Sequence, residues 1–170
     1  MGRDATKASG NVWYEARMEA SKWNEKLSSR SGAAEYMNVS EDVVKDCELG
    51  LYKVMPVEHA VRMADAYNAP HLLNHYCLYY CPIGCNKPIS DQNLSVEHVT
   101  VKLLKNLRVD QIEQMKVKLI DIAADGKVTD DKIIDLYAVL EYTRELQKTL
   151  SELEIIGKAI LERGKNEREK

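Results

Sequence analysis

Apolar side chains recur at helical spacing along most of this chain, and no stretch alternates apolar and polar residues as a strand would. One amphipathic helix is predicted over residues 11–27, with Asn11 as its cap. Two short helices follow near 30–37 and 40–48, capped by Ser29 and Ser40. Gly50 is placed to end the second of these. Pro56 suits the first turn of the next helix, and one more short helix carries Leu72, Leu73 and Tyr76.

The second half of the chain predicts longer helices. One should run from Ser95 to about Ala124, and another from Thr129 or Asp130 to about Arg163, with a turn at Asp125-Gly126 between them. In the latter helix, apolar residues recur every seven positions, which is typical of a coiled-coil packing seam. The seam consists of Val139, Leu146, Leu153 and Ile160, with Leu136 and Leu150 beside it.

These patterns predict an all-α protein that ends in an antiparallel helical hairpin over residues 95–163. Two helices alone bury little apolar surface, so the seam needs a further partner. A second copy of the hairpin would give a four-helix bundle and a homodimer, and packing back on the first domain is the alternative. The predicted organisation is a loose arm (1–10), a first domain (11–76), a connector (77–94), the hairpin and a charged tail (164–170).

The segment from 29 to 50 carries a family resemblance. Its motif consists of Ala33-Ala34-Glu35, Asn38-Val39-Ser40 and Glu48-Leu49-Gly50, followed by Pro56. In this order and spacing, residues 11–70 resemble the lambda-repressor/Cro (XRE-type) helix-turn-helix domain. The resemblance implies a five-helix domain whose second motif helix enters the major groove of DNA, and hence a transcriptional regulator.

The resemblance also implies which residues face DNA: the starts of the two motif helices. Arg30 and Lys45 could reach phosphate or guanine, whereas Glu41 and Asp42 would be repelled by phosphate unless they accept from cytosine. An alternative interpretation treats Ser40-Glu41-Asp42 only as a good helix cap, in a domain that binds protein instead of DNA. The candidate DNA-binding residues are Ser29, Arg30, Ser40, Glu41, Asp42, Val43 and Lys45.

Charge gives this hypothesis little support. The net charge is −3, and residues 1–90 hold 10 Lys or Arg against 11 Asp or Glu, although phosphate binding depends on basic residues.

Nothing resembles an active site, so no enzymatic activity and no cofactor are expected. There is no apolar signal core and no run of about 20 apolar residues, which favours a cytoplasmic protein without a membrane span.

Three cysteines in the connector are candidates for other chemistry. Cys77, Cys81 and Cys85 lie four residues apart, just after His71 and His75. Thiolates and imidazoles bind zinc, but a C-x₂-C pair is absent, and the turn needs no metal to form. The alternatives are thiols buried in a hinge, partly exposed thiols, or a redox disulfide from Cys77 to Cys81 or Cys85.

Overall fold

The computed structural model describes residues 7–124 and 129–168. Within those ranges the backbone forms α-helices, two short 3₁₀ turns and no strand, which confirms the predicted all-α class. The turn predicted at Asp125-Gly126 lies outside the described residues. The helices are α1 (Val12–Ala20), α2 (Arg30–Met37), α3 (Glu41–Glu48), α4 (Val57–Ala66), α5 (His71–Tyr79), α6 (Val96–Asn106), α7 (Val109–Ala123) and α8 (Asp130–Arg168).

The chain divides into two compact units. The first comprises residues up to Lys87 together with those from Lys158 onward, and the second runs from Pro88 to Gly157. Within the first unit, Asn68 has a left-handed backbone with φ 47°. Its side-chain amide donates to the Ala159 carbonyl at 3.2 Å. The last part of α8 is therefore attached to the end of α4.

The predicted caps of the first helix and of the two motif helices are present. The Asn11 side chain accepts from the Trp13 amide at 2.9 Å, and Ser29 accepts from the Gly32 amide at 3.0 Å. Ser40 accepts from the Val43 amide at 3.4 Å. These contacts satisfy amide groups that a helix start leaves unpaired. Gly50 follows α3 with φ 65°, as a left-handed helix terminator requires.

The first helix is shorter than the predicted 11–27. It ends at Ala20, and a 3₁₀ turn over Glu25–Ser28 follows. The Asn24 side chain accepts from the Lys26 amide at 3.2 Å, a local bond that competes with continued helix. Leu27 is still fully buried, but Trp23, predicted on the same face, is 49% exposed.

The prediction of one long helix from Ser95 to Ala124 is also wrong, because the helix breaks at Leu107-Arg108 into α6 and α7. No Gly or Pro marks the break. Contacts with α8 lie at the break, where the Asn106 carbonyl accepts from the Tyr142 hydroxyl at 2.7 Å. The Asn106 side chain donates to Thr149 Oγ1 at 2.8 Å. A carbonyl held in this way favours a break that periodicity cannot reveal.

The heptad stripe is only partly the packing seam of α8. Val139 is buried and Leu146 half-buried, whereas Leu153 and Ile160 are exposed. A straight α-helix drifts about 20° per heptad from a seven-residue stripe, so the buried face moves away from it. Polar contacts hold the moved face, since the Glu152 carboxylate accepts from Lys102 Nζ at 2.6 and 2.7 Å. The buried positions there are Thr149, Glu152 and Ile155.

The first unit contains a buried charge cluster as well as an apolar core. The core joins α1 through α5 around Trp13, Leu27, Val44 and Leu72. Beside it, the Glu48 carboxylate at the end of α3 accepts from Arg17 of α1 and, at 2.7 Å, from Arg30 of α2. Glu48 is 1% exposed and Arg17 3% exposed. Arg17 also donates to the Leu27 carbonyl at 2.9 Å. One carboxylate therefore connects three helices.

Glu48→Gln should lower the free energy of unfolding of the first unit by about 3–5 kcal/mol, because two arginines lose their buried counter-charge. Urea titration followed by tryptophan fluorescence would report on this unit, since both tryptophans belong to it. As a control, Glu19→Gln removes an exposed pair with Lys22 and should change stability by less than about 1 kcal/mol. Equal effects of the two variants would refute a structural role for the cluster.

Candidate nucleic-acid interface

A three-residue turn joins α2 to α3. Asn38 adopts the left-handed conformation, with φ 52° and ψ 54°. The Val39 amide donates to the Ala34 carbonyl at 3.0 Å, which closes the end of α2. Asparagine tolerates this conformation better than other non-glycine residues, so the chain can turn at once into the Ser40 cap. The predicted tight break between two short helices is confirmed.

Small side chains let the two helices of this pair approach each other. Ala33 and Ala34 on α2 are almost fully buried, as are Val44 and Cys47 on α3. All four belong to the core that α1 and α4 share. Burial raises the pKa of the Cys47 thiol to about 12, so this thiol remains protonated at neutral pH. The inner face of the pair is therefore fixed by packing, and its outer face is left open.

The outer face of α3 carries most of the predicted DNA-binding residues. Ser40, Glu41, Asp42 and Lys45 are exposed, and Val43 is half-buried. Lys45 Nζ lies 3.0 Å from Asp42 Oδ1. This hydrogen bond, together with the Asp42 charge, raises the pKa of Lys45. The exposed start of α3 therefore has two carboxylates and one lysine, which is already paired with one of them.

Ser29 and Arg30 lie at the start of α2 with different surroundings. Ser29 is exposed and caps α2. Arg30 keeps 30% of its side-chain surface exposed, and its Nε donates to the buried Glu48 carboxylate. A guanidinium in this position stabilises the fold as well as presenting charge at the surface. The sequence motif did not indicate that Arg30 pairs with Glu48.

Sequence reasoning missed two further arginines next to this surface. Arg62 of α4 donates to the carbonyls of Met37 at 3.0 Å and Asn38 at 3.4 Å, which holds the turn before Ser40. Arg17 fixes the far end of α3 through Glu48. These contacts join residues 25 and 31 positions apart. No local spacing signals them, although an arginine on the apolar side of the first helix was a clue to a buried partner.

The connector cysteines are near one another along the chain but differ in exposure. Cys77 and Cys81 are half-buried, and Cys85 is exposed. The Cys85 amide donates to the Cys81 carbonyl at 3.1 Å, which forms a single helical turn. Gly84 is required beside them, because a Cβ there would lie 2.3 Å from the Cys77 carbonyl oxygen. In the part of the chain that the structure describes, no three His, Cys, Asp or Glu side chains are arranged to hold a metal ion.

Comparison of the chain with protein-family models, with curated proteins and with solved structures finds no match. Among the helices of the described residues, none is both long enough and apolar enough to cross a membrane.

The four cysteines should differ in reactivity. In the native protein at pH 8, Cys85 should be alkylated first and Cys47 last, because Cys47 is buried and its pKa is raised to about 12. Mass spectrometry of iodoacetamide-treated protein would rank the sites, and in urea all four should react alike. Fast labelling of Cys47 in the folded protein would show that α3 does not stay packed on the core.

Proposed function

We propose that this chain is a sequence-specific DNA-binding protein that regulates transcription as a homodimer. One observation carries the proposal: α2 and α3 form a tightly turned pair, with Glu48 holding the inner end of α3 and the Ser40 end open to solvent. A helix held on one side and exposed at its N-terminus is suited to insertion into a major groove. On this proposal the protein is a binding protein and not an enzyme.

The exposed helix starts offer the groups that such a complex needs. Unpaired amides and the dipole at the start of a helix favour phosphate, and Ser29 and Ser40 add hydroxyl groups. Lys45 lies one turn along α3, where a side chain reaches base edges or phosphate. Val43, half-buried beside it, suits contact with a thymine methyl group. Arg30 would contribute through the part of its side chain that remains exposed.

A homodimer through residues 95–163 would supply two copies of the DNA-binding first domain, called heads below. Two-fold symmetry places two recognition helices about 34 Å apart on one side of the duplex, so the operator would be approximately palindromic. Doubling the contacts also compensates for a head with little positive charge, because two linked weak sites bind more tightly than one. Double-stranded DNA and a second copy of the chain are the proposed partners.

A second candidate function is protein binding by the same helix pair. The observation in its favour is the charge of the outer face, where Glu41 and Asp42 are exposed and Lys45 is paired with Asp42. Such a surface attracts a basic protein more readily than a phosphate backbone. The exposed carboxylates would oppose binding to DNA but would favour binding to a basic protein. Substitution of Asp42 therefore separates the two candidates.

Lys45→Ala should weaken binding to a selected operator by about 1–3 kcal/mol if Lys45 contacts a base. Lys148→Ala is a matched control, since Lys148 is equally exposed and also pairs with an acid three residues away. Fluorescence anisotropy at fixed salt would measure both variants, and circular dichroism would verify their folding. The same affinity for Lys45→Ala, Lys148→Ala and the unchanged protein would mean that α3 does not face DNA.

Asp42→Asn should tighten DNA binding several-fold, because it removes a charge that repels phosphate and releases Lys45 from its pair. The salt dependence of binding should steepen at the same time, as expected when one more cation neutralises a phosphate. Unchanged or absent DNA binding, together with loss of a basic protein partner captured by the unsubstituted chain, would favour the second candidate.

A further inference from the structure

The α7 helix lacks the cover that a stable helix needs. It has 15 residues, and none of them is buried. An isolated helix of this length is only marginally stable in water, so tertiary packing must hold it. Its apolar side chains nevertheless recur at helical spacing, at Val109, Ile112, Leu119 and Ile120.

A groove between α7 and α8 adds to this exposed surface. It has a volume of about 450 Å³, and its wall is almost entirely apolar. Side chains of α7 and α8 both line it, including Ile112, Met115, Leu119, Ile120, Val139 and Tyr142. Val139 starts the stripe that the sequence predicted as a packing seam. The groove is therefore an apolar depression on the second unit itself.

An apolar ridge lies along the first part of α8. Ile133, Tyr137 and Leu140 follow one another at helical spacing, and all three are exposed. Leu140 lies one turn before Thr143, which lines the groove. We name the groove together with Val109 and this ridge the α7–α8 face. A depression and a ridge on one face are what a self-complementary two-fold interface requires.

The size of this face matches that of a dimer interface. Seven of its large side chains, Val109, Ile112, Leu119, Ile120, Ile133, Tyr137 and Leu140, are between 38% and 83% exposed. Together they present roughly 700 Å² of surface, near the roughly 800 Å² that each partner buries in a standard stable interface. A monomer seldom exposes one apolar patch of this size.

Charge on the face also permits a second copy. Of the residues lining the groove, Lys116 is the charged one. It pairs with Glu113 at 3.3 Å, so the two contribute no net charge. Beside them, Lys118 of α7 pairs with Asp135 of α8 within the unit. Like-charge repulsion between identical faces is therefore small, whereas a highly charged partner would find little to bind.

We propose that a second copy of this chain docks on the α7–α8 face and forms a four-helix interface there. The inference deepens the proposed homodimer, and it places the contact on α7 and the first part of α8 and not on the Leu146–Ile160 part of the heptad stripe. Leu146 is half-buried within its own chain, and the exposed Leu153 and Ile160 do not line the groove.

Sedimentation of the full chain without DNA tests the assignment. The unsubstituted protein should be a dimer at tens of micromolar, and Ile120→Glu and Tyr137→Glu should each weaken dimerisation about 30-fold or more. Val101→Glu on α6 is the matched control, since Val101 and Tyr137 are equally exposed, and it should have no effect. A monomeric parent chain, or dissociation by Leu153→Glu with Ile120→Glu still dimeric, would overturn the proposal.

Hydrogen–deuterium exchange of the unsubstituted protein provides a test that needs no variant. Raising the concentration from about 1 to 100 μM, across typical dimer constants, should protect amides in 109–123 and 130–143. Protection of amides elsewhere, or no protection, would contradict docking of a second copy on the α7–α8 face. Because both experiments omit DNA, a dimer that does not bind DNA would refute only the regulatory function. A monomer that binds DNA would refute this interface and the proposed homodimer, but not DNA binding itself.

Discussion

The buried Glu48 carboxylate is the contact on which the first unit depends. It ends α3, and it accepts from Arg17 of α1 and from Arg30 of α2 in a place almost closed to water. A buried charge is costly unless it is paired, so loss of either arginine would leave an unfavourable site. Because the three partners come from three helices, their pairing sets how α3 lies against α1 and α2. The apolar contacts of Ala33, Ala34 and Val44 then fill the space between the helices.

This constraint leaves one side of α3 available for function. The inner side is occupied by core contacts and the far end by Glu48, so the Ser40 end and the outer side remain open. Acidic groups there make electrostatic attraction to DNA weak for a single head. A dimer through the α7–α8 face would supply affinity by linking two heads, which is consistent with the large apolar area of α7. Both proposals therefore address the same deficit of positive charge.

Local signals in the sequence predicted the elements that local physics determines. Caps at Asn11, Ser29 and Ser40 and the terminator at Gly50 depend on neighbouring residues, and these predictions are confirmed. The break at Leu107-Arg108 and the moved seam of α8 depend on Tyr142, Thr149 and Glu152 from distant parts of the chain, so periodicity missed them. The candidate site shows the same division. The exposed starts of α2 and α3 were predicted from the sequence, whereas the ion pair between Arg30 and Glu48 is visible only in the folded structure.

Amide chemical-shift mapping of the ¹⁵N-labelled full chain with a selected duplex tests the central claim most directly. If α3 faces DNA, shifts should concentrate at the starts of α2 and α3, at Ser29, Arg30, the segment from Ser40 to Val43, and Lys45, which are exposed or half-buried. Residues on the buried side, such as Ala33 and Val44, should shift little. Shifts that avoid both helix starts, or no shifts at a DNA concentration well above typical non-specific dissociation constants, would contradict the account.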